Sequence, residues 1–391
     1  MRAWLAGALL LGLAGAAGAE GGPEAPSSED LPFESHDGHG MFGRLTLPAS
    51  GAPRAIVLYV QTAEGATVDM KRRKSRDETF NYYDLYRQTL AEMQVGFFSY
   101  EGRGIRMGDA PPRFEKIDWD VYNTSTLENK VRDALSAIAL LRARPGLEKT
   151  PLLLMGASES TLLAAEAASR APKEVAGLVL YGVLATNMRE NFRYIMTDGA
   201  FLPLRDKFDS DGDGKVTKDE YEADAKGFRA NSSLKAAPFE ALDADGDGAF
   251  TAADLVKLRT RPYIDAIDRE DFAVLQEWAL SSAAVSVPKE WFKDHFAHAP
   301  IWTFLSTLDI PVACFHGARD TNTPIAAVRK LEERAREAGK SKMEFHYFDD
   351  LDHSLNIGEY FVHGRMPAGH QAIFEFLRQQ SAPDPGAAGD R

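Results

Sequence analysis

Seven short apolar runs alternate with amphipathic helical segments along this chain, and the alternation breaks off once, for about 125 residues. The runs are 41–47, 54–60, 94–100, 151–155, 176–181, 311–316 and 342–348. Most are continuous and rich in β-branched or aromatic residues, as strands covered on both faces require. Helical periodicity fills 80–92, 126–144, 158–170, 324–338 and 367–380. Strands alternating with helices predict an α/β fold, a mostly parallel sheet with helices on both faces and ligands at the carboxyl ends of the strands. The break, residues 184–308, is too long for a connecting loop and predicts an inserted α-helical subdomain.

The chain of 391 residues, 44% hydrophobic and 10% aromatic, has enough apolar material for a large core, which excludes disorder. Its first 19 residues hold one cationic residue, an apolar stretch and Ala17-Gly18-Ala19 before Glu20, which predicts a cleaved export signal and a periplasmic or secreted protein. No other run approaches the ~20 apolar residues of a spanning helix, so no stable membrane anchor is expected. One cysteine, Cys314, precludes an internal disulfide and reads as a small core residue. Residues 20–31 and the tail 381–391, rich in Gly, Pro, Ala and acids, read as flexible.

The inserted segment carries two twelve-residue acidic loops, 209–220 and 243–254. Together they hold nine acidic residues against two lysines, which is −7 of the chain's net −13. The remaining charge is an ordinary acidic surface, unsuited to nucleic acid. An EF-hand loop offers a calcium ion oxygens from positions 1, 3, 5, 7, 9 and 12, with glycine at 6 for the turn. The first loop matches throughout: Asp209, Asp211, Asp213, the carbonyl of Lys215, Thr217 and Glu220, with Gly214 at the turn. The second offers Asp243, Asp245, Asp247, the carbonyl of Ala249, Thr251 and Asp254, with Gly248 at the turn. Aspartate at position 12 is one methylene shorter than glutamate, so the second site is expected to be weaker or more tolerant of magnesium. Val216 and Phe250, both at position 8, are expected to pair. The motif spans about 198–262, and a structural staple is favoured over a regulatory role.

The run 151–155 leads into Gly156-Ala157-Ser158-Glu159-Ser160 and then a helix. This is the setting of a nucleophile elbow, a sharp turn that lifts a serine hydroxyl above the sheet, with small residues on both sides because backbones crowd there. Ser160 stands where glycine is usual. On this strand–turn–helix the chain resembles the α/β-hydrolase superfamily, over most of 33–380. Gly317-x-x-Asp320 follows the run 311–316, where the family carries its acid, and His353 follows the last run, where it carries its base. Glu101-Gly102-Arg103-Gly104 and the opening Glu34-Ser35-His36-Asp37-Gly38 are similar to family turns as well.

The resemblance implies a serine hydrolase in which Ser158 attacks a carbonyl, His353 carries the proton and Asp320 orients the imidazole. The backbone N–H of Glu159, with a second from the turn after 54–60 at Thr62, would meet the oxyanion. That turn lacks the family's usual His-Gly start. His316 and His346 lie in strand patterns and read as structural. The core would be split into 20–183 and 309–380, with 184–308 as a cap. Trp278, Trp291, Trp302, Phe292, Phe296 and Phe304 either wall an acyl site or form plain core. The cluster 71–76 reads as a solvated loop, with an anion-binding rim as the sharper alternative. The substrate expected is a small carboxylic ester. Two alternatives stand beside it: a prolyl aminopeptidase-like peptidase, using Glu64 or Glu159 to bind an amine, and a calcium-dependent binding protein on an inactive core.

Overall fold

A computed structural model describes residues 25–62, 67–111, 113–229, 232–281 and 287–382. Residues 1–19, expected to be an export signal, and Glu64 lie outside the described residues, as does the tail from residue 383 onward. Among the described residues no helix is long and apolar enough to cross a membrane.

Eight strands form one sheet: β1 (Ser27–Glu34), β2 (Gly40–Leu47), β3 (Ala55–Tyr59), β4 (Val95–Tyr100), β5 (Leu152–Ala157), β6 (Gly177–Tyr181), β7 (Val312–Gly317) and β8 (Met343–Phe348). Their spatial order is β1-β2-β4-β3-β5-β6-β7-β8. The pairs β1–β2 and β2–β4 are antiparallel and every other pair is parallel. All seven apolar runs are strands. The eighth strand is a correction: residues 20–31 were expected to be flexible, yet Ser27–Glu34 pairs with β2 along its full length. This edge strand buries only Leu31 deeply, so its sequence carries almost no apolar alternation.

The core helices are α1 (Tyr82–Glu92), α2 (Leu127–Arg142) and α3 (Glu159–Arg170). The inserted segment contributes α4 (Met188–Met196), α5 (Asp198–Phe208), α6 (Arg261–Arg269), α7 (Phe272–Ser281) and α8 (Trp291–Ala297). Helices α9 (Ile325–Glu337) and α10 (Ala368–Gln380) complete the fold. The two-residue period of the central strands divides the core between the faces of the sheet. Ile56, Leu58, Leu152, Leu154, Leu178, Leu180, Val312 and Cys314 pack on the α2–α3 side. Val57, Tyr59, Leu153, Met155, Val179, Tyr181, Ala313 and Phe315 pack on the other, with α1 and α10. Cys314 is thus buried, and burial pushes its thiol up to about 12. The cluster at 71–76 departs from a simple loop, because Lys71–Arg73 pairs with Thr79–Asn81 in a short hairpin. Ser381, the first residue of the expected tail, is buried and its N–H donates to Leu377 O.

The acidic loops have a core of their own, built from Phe201, Phe208, Val216, Tyr221, Phe239, Phe250 and Leu255. Val216 and Phe250 face each other in a two-residue antiparallel ladder, as expected.

Candidate active site

Three loops at the carboxyl ends of β5, β7 and β8 carry Ser158, Asp320 and His353. Ser158 is the single residue between β5 and α3, at φ 56° and ψ −125°. A positive φ is uncommon for a residue with a Cβ and holds only where the surroundings enforce it. Here they do. A Cβ on Gly156 would stand 2.4 Å from Ser160 O, so strand and helix backbones meet without room for a side chain. The Ser158 N–H donates to Tyr181 O at the end of β6 (3.1 Å). Ser160 explains its own departure from the glycine pattern. Its hydroxyl donates to Ala157 O (2.9 Å) and accepts from Ala157 N–H (2.7 Å), closing the turn from inside.

Asp320 is 1% exposed. Its Oδ1 accepts from the N–H groups of Asn322 and Thr323, both at 2.8 Å. Its Oδ2 accepts from the Thr323 hydroxyl (2.6 Å) and faces His353 Nδ1 at 2.7 Å. Burial pushes the Asp320 carboxyl up. The His353 charge and the hydrogen bonds from His353 and Thr323 outweigh this and leave it below its ordinary value. With Nδ1 on the carboxylate, His353 keeps Nε2 for another partner. The imidazole lies against the end of β6: a Cβ on Gly182 would stand 2.9 Å from His353 Cε1. Ser158 and His353 thus abut consecutive residues of one strand end, Tyr181 and Gly182.

Two supports are less visible in sequence. Buried His316 accepts Val183 N–H at Nδ1 (3.2 Å), which leaves Nε2–H to donate to Thr323 O (3.1 Å). These bonds tie the segment after β6 to the Asp320–Thr323 turn. From α4, the Tyr194 hydroxyl donates to Asp320 O at 2.5 Å, and nothing in the local sequence signals that contact. The turn 101–104 and the opening 34–38 also meet. Arg103 pairs with Asp133 (2.6 Å) and Asp37 (2.7 Å) in a largely buried network. It lines a small polar cavity together with Thr62, Gly102 and Lys130.

No family profile and no curated protein matches this chain. Solved structures do. An esterase from Pyrococcus furiosus aligns over 91% of this chain and 92% of its own length, at 12% identity and a TM-score of 0.50. The acylaminoacyl peptidase of Pyrococcus horikoshii aligns over 93% of this chain and 43% of its own, also at 12% identity and a TM-score of 0.50. This is an α/β-hydrolase fold. At 12% identity the likeness is one of architecture.

Within that α/β-hydrolase fold, the side chain of Glu159 lies between α2 and α8. It is buried, and its Oε1 lies 2.8 Å from Lys130 Nζ, 2.9 Å from Trp291 Nε1 and 2.7 Å from His295 Nε2. Aromatics of the segment between β6 and β7 gather around Phe192, whose ring centroid lies 4.9–6.4 Å from those of Trp278, Trp291, Phe292 and Phe296. These rings, with Trp302 and Phe304, belong to or pack against the core on the α2–α3 side of the sheet, the blander of the two expectations. A groove of about 790 Å³ lies at the β1–β2 edge and includes none of the three site residues.

In the first acidic loop, carboxylate oxygens of Asp209, Asp211 and Asp213 lie within 4.8 Å of one another, and those of Asp243, Asp245 and Asp247 do the same in the second. Glu220 reaches back to the start of its loop, with Oε1 accepting from Ser210 N–H (2.7 Å) and Oε2 from Thr217 N–H (2.9 Å). Asp254 spans the equivalent positions despite its shorter stem, accepting from Ala244 and Thr251 N–H groups, both at 2.9 Å. The donor set, all carboxylate, hydroxyl and carbonyl oxygen, fits a hard divalent cation. A further difference between the loops is Lys257, whose Nζ sits 2.8 Å from Asp245 Oδ2 in the second.

Proposed function

We propose that the protein is an exported serine hydrolase of carboxylic esters with a calcium-binding cap. The observation that carries the reading is the strained Ser158 at the β5–α3 turn, beside a His353–Asp320 pair at 2.7 Å. In this mechanism the Ser158 hydroxyl adds to the ester carbonyl and its proton passes to His353. Collapse expels the alcohol, which takes that proton and leaves an acyl-serine, and water then reverses the sequence. Asp320 holds the imidazole and offsets its charge. The Glu159 N–H and the Thr62 turn would meet the oxyanion.

The peptidase alternative needs an acid free to bind a substrate amine. Glu159 is already engaged by Lys130, Trp291 and His295, which counts against it in that role. Calcium would be held by Asp209, Asp211, Asp213, Lys215 O, Thr217 and Glu220, and in the second loop by Asp243, Asp245, Asp247, Ala249 O, Thr251 and Asp254. It would supply charge neutralisation and rigidity to the cap, with no part in bond-making. Lys257 beside Asp245 supports a weaker second site, since the cation must displace it.

The decisive experiment is a fluorophosphonate probe with a p-nitrophenyl ester panel, on wild type and Ser158→Ala. Wild type should label at Ser158 and turn over short esters, and the variant should do neither. Calcium binding without labelling or turnover would favour the binding-protein alternative. N-terminal sequencing of the exported protein should begin at Glu20.

A further inference from the structure

The Glu159 carboxylate has no part in the proposed chemistry, yet it is the most heavily coordinated charge beside the serine. Three of its partners come from outside its own helix: Lys130 from α2, and Trp291 and His295 from the cap helix α8. Burial pushes this carboxyl up, but the charges of Lys130 and His295 more than offset that and keep it ionised. Removing a carboxylate and an ammonium from water is rarely stabilising in itself, since an apolar pair of the same volume often does as well or better. A first-turn acid would favour the helix dipole equally well from an exposed position. Stability therefore does not account for this arrangement.

Geometry does. The backbone N–H of the same residue is the assigned oxyanion donor, and such a donor must sit within a few tenths of an ångström of its working position. The turn around it is already strained at Ser158. We propose that the Glu159 side chain is a positioning group, held between core helix α2 and cap helix α8 so that its own N–H is fixed toward the reacting carbonyl. The proposal rests on the serine-hydrolase reading. Cap docking does not depend on Glu159. Asp294 of α8 accepts the Leu127 N–H at the start of α2 (2.5 Å), and Lys289 N–H donates to Asn123 Oδ1 (2.9 Å). Loss of the carboxylate should therefore loosen the donor while the cap stays seated.

The test compares wild type, Glu159→Gln, Lys130→Met and the double variant on p-nitrophenyl butyrate, with active sites counted by fluorophosphonate. Glutamine keeps an acceptor for Trp291 but loses the charge. In Glu159→Gln, kcat should fall roughly 10- to 100-fold, short of the 10²–10³-fold cost of deleting a donor, with KM within about twofold. The rate of phosphonylation should fall by the same factor. The double variant should be no slower than Glu159→Gln alone, because both changes act through one contact. It also removes both charges, so it keeps the proposal testable if a single variant does not fold. Unchanged kcat and labelling in Glu159→Gln, or in the double variant, would overturn the proposal and leave the hydrolase reading standing. A wild-type protein that neither labels nor hydrolyses would overturn both.

Discussion

Holding Ser158 at a positive φ costs on the order of 1–3 kcal/mol, which the Gly156–Ser160 crowding and the Tyr181 hydrogen bond must enforce. Two variants can expose that cost. Alanine at 158 retains the Cβ and its strain, whereas glycine adopts φ 56° freely. Despite glycine's greater freedom in the unfolded chain, Ser158→Gly should melt above Ser158→Ala, by about 1 kcal/mol of stability. Equal melting temperatures would mean that the turn stores no strain. The three principal residues were legible because each follows an apolar run in a fixed order: serine, acid, histidine. Ser160 was legible only as a departure, since its two hydrogen bonds to Ala157 are a property of the closed turn. Tyr194 and the partners of Glu159 lie 126 and up to 136 residues from what they touch, and no local pattern encodes such pairings.

At the scale of elements, the acidic loops show how far a motif can be read. Position 8 pairing, the glycine turns and the reach of position 12 all follow from a twelve-residue spacing, and the Val216–Phe250 ladder appears where that spacing requires it. The Lys257 contact does not follow from the motif, because it depends on how the helix after the second loop is aimed. It yields a specific expectation. Calorimetric titration should resolve a tighter first site and a weaker second one, and Lys257→Ala should tighten the second by roughly two- to fivefold, since an exposed ion pair is a modest competitor. Chelation should lower the melting temperature, by the free energy of ion binding to the folded state alone. A melt indifferent to chelator would remove the staple. The edge strand β1 marks the opposite limit. Its pairing is made by backbone hydrogen bonds and a single buried leucine, so periodicity had almost nothing to detect.

For the whole molecule, the sheet's two-faced core was legible from continuous apolar strands, while the placement of polar groups inside it was not. His370 of α10 is the clearest case. It is fully buried on the α1–α10 face, with Nε2 3.2 Å from the Tyr86 hydroxyl, and burial pulls it down to about 4 even though Asp352 pulls the other way. The unfolded chain would protonate this ring near 6.5, so between about 6.5 and 4 the unfolded state binds a proton that the folded state refuses. Stability from this residue is complete above 6.5 and declines as pH falls toward 4, by about 3 kcal/mol in all. His316, also buried and pulled down, acts in the same direction. Asp320 and Glu159 act in a separate window. Both are held below the ordinary carboxylate range, so their contributions are intact above about 4 and are lost only under stronger acid. Acid unfolding should therefore have an early limb set by histidines and a later one set by carboxylates. Denaturant melts of wild type and His370→Gln from pH 7.5 to 4 separate the two. The variant should lose most of the slope between 6.5 and 4 while keeping the fall below 4. An unaltered slope would assign the early limb to other groups.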